Sequence, residues 1–492
     1  MSQFLYRYRP IEAVLDKFHE LENQEIYFSA VEELNDPVEG FKDLVWSGDE
    51  IVWRNLLKHY ILCVLETTLF VADETFDPKI LQRIVFQVPG TLPDAPIREV
   101  YARLSAQFLA EPAVRRFVEL MSARTTPVRR MELTNYLRSL HGFAMQIVIS
   151  EFQARGLFAP PTAGPAAPSP EKLRHNAIAV MEAAQKMTPL KLANGNMSPE
   201  IATEAFFEAG ENTTEQVMLI AEINFADRDK RLATAFLANR FASAYVSAIE
   251  KLVHRDWYVA CFAAVPDDHS MWSTYGGGHR GAALMFKPTQ RVDGTPTLRI
   301  ECVTGAGAAV GKPITYSKSE VAHEISAVRY STEYPVIDFF RSLGTISNSH
   351  LNGFWYLGED GKMSVCHSAV YGNEGVWRGA YWKTFEEGAL YKTPEWQHEK
   401  EQRIVVHSGF DMEAKEKRKL KYRFDDLAGI VFGAKTDFED KLKILRIIER
   451  KCALTGRTDF KFFQVRYLPT QSRFHLFEMG LLKCEYPLKA GA

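Results

Sequence analysis

The six cysteines of this chain (Cys63, Cys261, Cys302, Cys366, Cys452 and Cys484) lie far apart, and no C-x-x-C pair occurs among them. That argues against a zinc ribbon or a disulfide scaffold and fits reduced thiols. One-sided charge is also missing. Lys and Arg total 59 against 62 Asp and Glu, a formal charge of -3. No global basic field points to nucleic acid and no acidic tail is present, which leaves room only for a local basic groove. No long hydrophobic run occurs either: the most apolar stretch, Tyr60 to Ala72, is short for a bilayer span and contains Glu66. The first residues, MSQFLYRYRP, lack the apolar core of a secretory signal. No internal repeat is visible. Together these absences predict a cytoplasmic protein with no membrane role.

What is present is enough apolar material, 46% of 492 residues, to bury two or three cores. Phe4 to Tyr8 reads as a strand. Pro10 suits the first turn of a helix, where its missing N–H costs nothing, and Ile11, Val14, Leu15, Phe18 and Leu21 recur at helical spacing. Ile26 to Ser29 reads as a second strand, followed by the turn signal Asn35-Asp36-Pro37.

From about Asp43 to Arg255 long helical patterns take over: Asp49–Phe70, Met131–Arg155, Thr214–Asn224 and Asp229–His254, with a Pro/Ala-rich linker at 159–170. Strand signals return at Trp257–Ala264, Gly281–Phe286, Thr297–Val303, Gln402–His407, Gly429–Gly433 and Lys461–Leu468, with an amphipathic helix at Phe438–Cys452. The expected fold class is α+β. A mixed or antiparallel sheet domain with flanking helices is built from both chain ends, residues 1–42 plus 256–492. A large all-helical insertion, 43–255, interrupts it.

Four clusters can carry chemistry. In Leu5-Tyr6-Arg7-Tyr8-Arg9, strand alternation puts the two tyrosines on one side and Arg7 and Arg9 on the other. Two forked guanidiniums suit a phosphate or carboxylate, against the plainer reading of solvated arginines on an edge. Asn35-Asp36-Pro37-Val38-Glu39-Gly40 offers Asp36 and Glu39 at a cleft rim, against an Asx-turn with an exposed Glu.

In Met271 to Gly281, three successive glycines suit close approach of a ligand, and Trp272 and Tyr275 offer stacking faces. His279, just before a strand, is a candidate catalytic group, against a histidine merely hydrogen-bonded within its loop. No G-K-[ST] follows, so this is not a P-loop. Last, Glu399, Glu401 and Arg403 project to one face of a strand, with Trp396 beside them. The plainer reading is a solvated sheet face with a cross-charge pair. Such carboxylates serve glycosidic-bond cleavage or metal-dependent phosphodiester hydrolysis.

The ordered set Leu5-Tyr6-Arg7-Tyr8, Ile26-Tyr27-Phe28-Ser29, Asn35-Asp36-Pro37-x-Glu39-Gly40, Val259-Ala260-Cys261-Phe262, Met271-Trp272-x-x-Tyr275-x-x-x-His279-x-Gly281, Val328-x-Tyr330-Ser331, Trp396-x-x-Glu399-x-Glu401-x-Arg403 and Ile430-Val431-Phe432-Gly433 resembles the bacterial family called domain of unknown function 2971. The resemblance covers the two ends, roughly half the chain, and leaves out the long insertion after Gly40. The layout is also similar to that of ADP-ribosyltransferases, which open with a strand bearing Arg or His and carry a late Glu-x-Glu.

That likeness implies NAD as co-substrate, with Arg7 at ribose or phosphates, Tyr27 or Ser29 on the second strand, Tyr275 or Trp272 stacking on nicotinamide, and Glu401 stabilising the departing ribosyl cation. It implies no metal. A Ser-Thr-Ser run after the second strand is absent; Phe28-Ser29-Ala30 stands there.

Three functions compete. The first is an NAD-dependent ADP-ribosyltransferase or NAD glycohydrolase acting on a protein or nucleic-acid acceptor, a role that suits a toxin or an antiviral phage-defence system. The second is a magnesium-dependent nuclease using Asp36, Glu39, Glu399 and Glu401. The third is a non-catalytic binding or regulatory module whose helical insertion holds a partner.

Overall fold

The computed structural model describes residues 4–73, 76–158, 169–185, 191–192, 195–196, 199–223, 232–307, 315–407 and 412–483. The linker expected at 159–170 lies outside these apart from its last two residues, as do Asn224 and residues 229–231 of the expected helix Asp229–His254.

The chain divides into two compact units. One is 1–41, 256–334 and 386–492; the other is 42–255 and 335–385. The first unit carries the main sheet. Its strands are β1 (Leu5–Arg9), β2 (Ser29–Ala30), β3 (Trp257–Ala263), β4 (Ala282–Phe286), β5 (Ser326–Ala327), β6 (Glu401–His407), β7 (Leu427–Phe432), β8 (Lys461–Leu468) and β9 (Arg473–Glu478). Their order is β5-β6-β3-β1-β4-β7-β8-β9, with β2 also on β3. Every neighbour is antiparallel except β7 and β8. Those two are joined by the helix Phe438–Thr455, the crossover that a parallel pair requires.

Ile444, Ile448 and Cys452 recur at helical spacing on that helix and are buried against one face of the sheet with Leu284, Phe286, Ile404, Ile430 and Phe432. The opposite face buries Tyr6, Tyr8, Ala263, Ala283, Met285 and Val431 under Met271 and Trp272. With mixed and antiparallel sheets and flanking helices, the fold is α+β.

The strand expected at Ile26–Ser29 changes partners midway. Glu25–Tyr27 pairs with Lys419–Tyr422 in a second, five-stranded sheet, while β2 joins β3 in the first. The helix expected after Pro10 is interrupted at His19, which takes a left-handed φ of 49°.

The second unit departs from the all-helical expectation. Asp43–Trp46 pairs in parallel with Val336–Asp338 and antiparallel with Val128–Arg129. Phe339, Phe340, Trp355 and Tyr356 share one core with Trp46, Trp53 and Tyr60. Segment 335–385 therefore belongs here and not with the chain ends. The long apolar helix of this unit, Glu50–Ala72, meets the length and composition of a membrane span, but 67% of its most apolar window is buried.

The glycines of the Gly276–Gly281 loop serve its packing on β1. Gly277, at φ +57°, lies 3.3 Å from Cα of Pro10, measured from where a Cβ would stand. A Cβ on Gly281 would sit 2.1 Å from the carbonyl oxygen of Arg9 and 2.8 Å from that of Gly276. Backbone cannot yield as a side chain does, so Gly281→Ala is expected to destabilise this unit by about 1–3 kcal/mol or more, read as a lower urea midpoint.

Candidate functional site

The ladder between β1 and β3 is short. They pair at Tyr6↔Ala263 alone, whereas β3 runs in register with β6 over seven positions, from Glu401↔Ala263 to His407↔Trp257. Beyond Tyr6 the two strands part. Arg7 spans the gap, donating from Nη2 to the Tyr27 carbonyl at 2.9 Å and from Nη1 to the Cys261 carbonyl at 3.4 Å. A cavity of about 220 Å³ opens at this split, walled by Tyr6, Arg7, Tyr8, Arg9, Ser29, Asn35, Glu39, Cys261, Tyr275, Lys392, Glu399, Glu401 and Arg403.

Residues directly opposite in a ladder share a face. Tyr6, Ala263 and Glu401 thus form one row across the sheet, and Arg403, two residues on, shares their side. Arg7 and Arg9 alternate to the other side. There Arg9 pairs with Glu20 through Nε and Nη2, the Nε bond being 2.8 Å. The expectation of two free guanidiniums is corrected: Arg9 is neutralised, and Arg7 is committed to carbonyls, with only its Nε lacking a partner. Burial and the neighbouring Arg9 lower the Arg7 guanidinium to about 10, so it stays charged at neutral pH.

The wall holding Glu401 is a closed ionic network. Lys392 Nζ lies 3.0 Å from Glu39 Oε1, 2.6 Å from Glu399 Oε2 and 3.2 Å from Glu401 Oε2. Arg403 donates from Nε to Glu401 Oε1 at 2.8 Å, from Nη2 to Glu39 Oε2 at 2.8 Å and to Glu401 Oε2 at 3.1 Å, and from Nη1 to the Ala389 carbonyl at 3.0 Å. All five side chains are at most 5% exposed. Glu399 Oε1 accepts from the Tyr275 hydroxyl at 2.8 Å, which in turn accepts from Asn35 Nδ2 at 3.0 Å. The Tyr330 hydroxyl accepts the Glu401 N–H at 2.8 Å.

Glu399 is not on the strand as expected. It ends the turn Pro394–Glu399, and Lys400 takes a left-handed φ of 47° before β6 begins at Glu401. The reversal aims both carboxylates at one ammonium.

The two buried glutamates facing Arg403 are driven apart. For Glu401, burial pushes upward, but Arg403, Lys392 and the Cys261 thiol outweigh it and hold the carboxyl at about 2. For Glu39, burial wins and the carboxyl is raised despite Arg403 and Lys392. A depressed carboxyl stabilises the fold above its ordinary value near 4.5 and loses that contribution as pH falls toward 2. Urea midpoints are therefore expected to drop between those values. In Glu401→Gln this part of the acid limb should be missing, a difference of at most about 3 kcal/mol.

Several expected site residues lie elsewhere. Trp272 is fully buried, donates Nε1 to the Pro266 carbonyl at 2.8 Å and meets Tyr8 edge-on at 4.8 Å, so it offers no stacking face to the cleft. His279 sits at φ 69° among His269, Phe474 and Trp272, with neither ring nitrogen hydrogen-bonded among the described residues, and does not line the cleft. The Tyr27 hydroxyl bonds Glu33 under the Arg418 guanidinium. Asp36 caps its own turn at Val38 N and accepts from Thr393.

Three contributors were not singled out: Lys392, Cys261, and Tyr330 in its role as acceptor. No group of three or more His, Cys, Asp or Glu placed to hold a metal occurs among the described residues. Compared with protein-family models, with curated proteins and with solved structures, the chain finds no match in any of the three.

Proposed function

We propose that the first unit cleaves the N-glycosidic bond of NAD, as an ADP-ribosyltransferase or an NAD glycohydrolase. The observation that carries this reading is Glu401: an ionised carboxylate fixed on the wall of a cleft with tyrosines around it. As the bond from ribose C1′ to the pyridinium nitrogen breaks, its electrons leave with neutral nicotinamide and positive charge grows on the ribosyl ring. Glu401 accepts a hydrogen bond from the ribose 2′-hydroxyl and lies close to that charge. Water or an acceptor nucleophile then bonds C1′ and releases one proton.

At about 220 Å³ the cavity falls below the roughly 300–1,000 Å³ that encloses a drug-sized ligand. It suits the nicotinamide-ribose end, with Tyr275 along one side and the positive charge of Arg7, its Nη donors held by the Tyr27 and Cys261 carbonyls, at the split, while the adenylate half stays outside. The acceptor, protein or nucleic acid, reaches C1′ from the open side, in a cytoplasmic setting where NAD is present.

A non-catalytic binding module is the second reading, and one observation favours it: both Glu401 oxygens already accept donors from Arg403 and Lys392. The magnesium nuclease reading has to displace Lys392 from three carboxylates at once. Nicotinamide release from NAD by the full chain, with and without cell extract, decides among these. Turnover lost in Glu401→Gln supports the proposal, and neither binding nor turnover of NAD would sink it.

A further inference from the structure

We infer that Lys392 is the site's built-in cation, a positioning residue that gathers Glu39, Glu399 and Glu401 into one anionic wall, as a bound divalent ion does in other proteins. The inference deepens the NAD reading and rests on it for its catalytic meaning, but its structural content stands apart.

An ammonium has three N–H donors and no acceptor. Lys392 donates to Glu399 at 2.6 Å and to Glu401 at 3.2 Å, and pairs with Glu39 at 3.0 Å. Its charge also lies 4.6 Å from the centre of the Trp396 ring. The backbone under it is fixed: Arg329–Tyr330 pairs in parallel with Tyr391–Lys392, so Tyr330, which holds the Glu401 N–H, is registered against Lys392 itself. The left-handed turn at Lys400 brings Glu399 round to the same nitrogen.

Take Lys392 away and Glu399 keeps the Tyr275 hydroxyl, while Glu39 and Glu401 share Arg403 as their one remaining cation. Around this ammonium stand Glu39, Glu399, Glu401, Arg403, Tyr275 and Tyr330, with the Cys261 thiol on Glu401 and Asp36 held at Thr393. Carboxylates pressed together without a cation take up protons at higher pH.

The test is a ¹³C-carboxyl titration of full-length protein labelled in Glu, comparing wild type with Lys392→Met, which keeps the stem and loses the charge, and Lys392→Arg. One or more carboxyl midpoints in Lys392→Met should rise by over one pH unit, and Lys392→Arg should largely restore them. Unchanged midpoints in a folded Lys392→Met overturn the inference. Should that variant not fold, the ¹⁵Nζ signal of wild-type Lys392 decides. An ammonium still protonated at pH 11 supports the role, and one neutral at pH 9 refutes it.

The NAD reading fails separately, by absence of wild-type turnover, and leaves this titration valid. Where turnover occurs, the acid limb of kcat/KM in Lys392→Met should move up with the carboxyl midpoints. A fall in rate with no such movement would mark Lys392 as structural only.

Discussion

Nicotinamide release should fall by about 10²–10³ in Glu401→Gln, the loss seen when one preorganised group facing transition-state charge is removed, or about 2.7–4 kcal/mol. The substitution keeps shape and one acceptor oxygen but removes the charge that opposes the ribosyl cation. Its cost to the fold is bounded by the composition of the network. In the native site three carboxylates, Glu39, Glu399 and Glu401, face two cations, Lys392 and Arg403. The variant leaves two against two, so no buried charge is stranded.

An amide nitrogen turned toward Lys392 or Arg403 would be one donor against another, which costs on the order of 1–3 kcal/mol and lowers the melting temperature without abolishing folding. The measurement is therefore initial-rate NAD consumption normalised to folded protein, with far-UV dichroism and a melting curve on the same sample. A variant that stays folded and keeps the native rate would remove Glu401 from the chemistry and leave the binding-module reading in its place.

The framework was legible where the physics is local. Alternating or continuous apolar runs marked β3, β4, β6, β7 and β8, since each buries one or both faces of a pleated sheet. The helix Phe438–Thr455 announces itself by Ile444, Ile448 and Cys452, and by Gly456 at φ +71° beyond its end. Other elements could not be read that way. Thr315–Glu324 is exposed along nearly its whole length and carries no hydrophobic alternation; its strand character comes from pairing with Pro296–Gly307. Asp43–Trp46 is four residues long and owes its form to partners near 128 and 336. Nothing local in such segments specifies a strand, because the partner supplies the hydrogen bonds.

The cleft divides in the same manner. Glu399, Glu401 and Arg403 stood out because two carboxylates and an arginine at the mouth of an apolar strand contradict a plain core, and Asn35, Glu39 and Tyr275 because their neighbours read as turns and loops. Lys392 gave no signal: it is one of 59 basic residues and lies on a two-residue strand whose partner is 62 positions earlier, Tyr330. The aromatic and glycine content of Met271 to Gly281 misled. Trp272 and the glycines answer to close packing on β1 and β7, and Gly433 approaches the His279 carbonyl within 2.4 Å, measured from where a Cβ would stand. Density of chemically rich residues is the same signal for a ligand loop and for a loop that must hug its own sheet.

Arg403→Met should be the most destabilising single change in this unit, by about 3–5 kcal/mol. The guanidinium is 1% exposed and donates to four acceptors, on Glu39, on both oxygens of Glu401 and on the Ala389 carbonyl. Methionine fills the stem volume without replacing a donor. Glu39 then keeps Lys392 alone, Glu401 keeps Lys392 at 3.2 Å and the Cys261 thiol, and three carboxylates share one cation. Protonation relieves part of this: Glu39, already raised by burial, takes up a proton first.

The sign of the pH effect follows. Arg403→Met should recover stability as pH falls from 7 toward 5, the opposite of the wild-type acid limb, because its carboxyls have become groups with raised values. Adding Glu401→Gln to Arg403→Met removes a stranded charge and should restore part of the loss, a coupling of at least about 1 kcal/mol in a double-mutant cycle. Urea midpoints of the four proteins at pH 5 and pH 7 measure both effects. Additive losses with no pH dependence would show that Arg403 contributes packing alone and that the network carries little of the stability of the cleft.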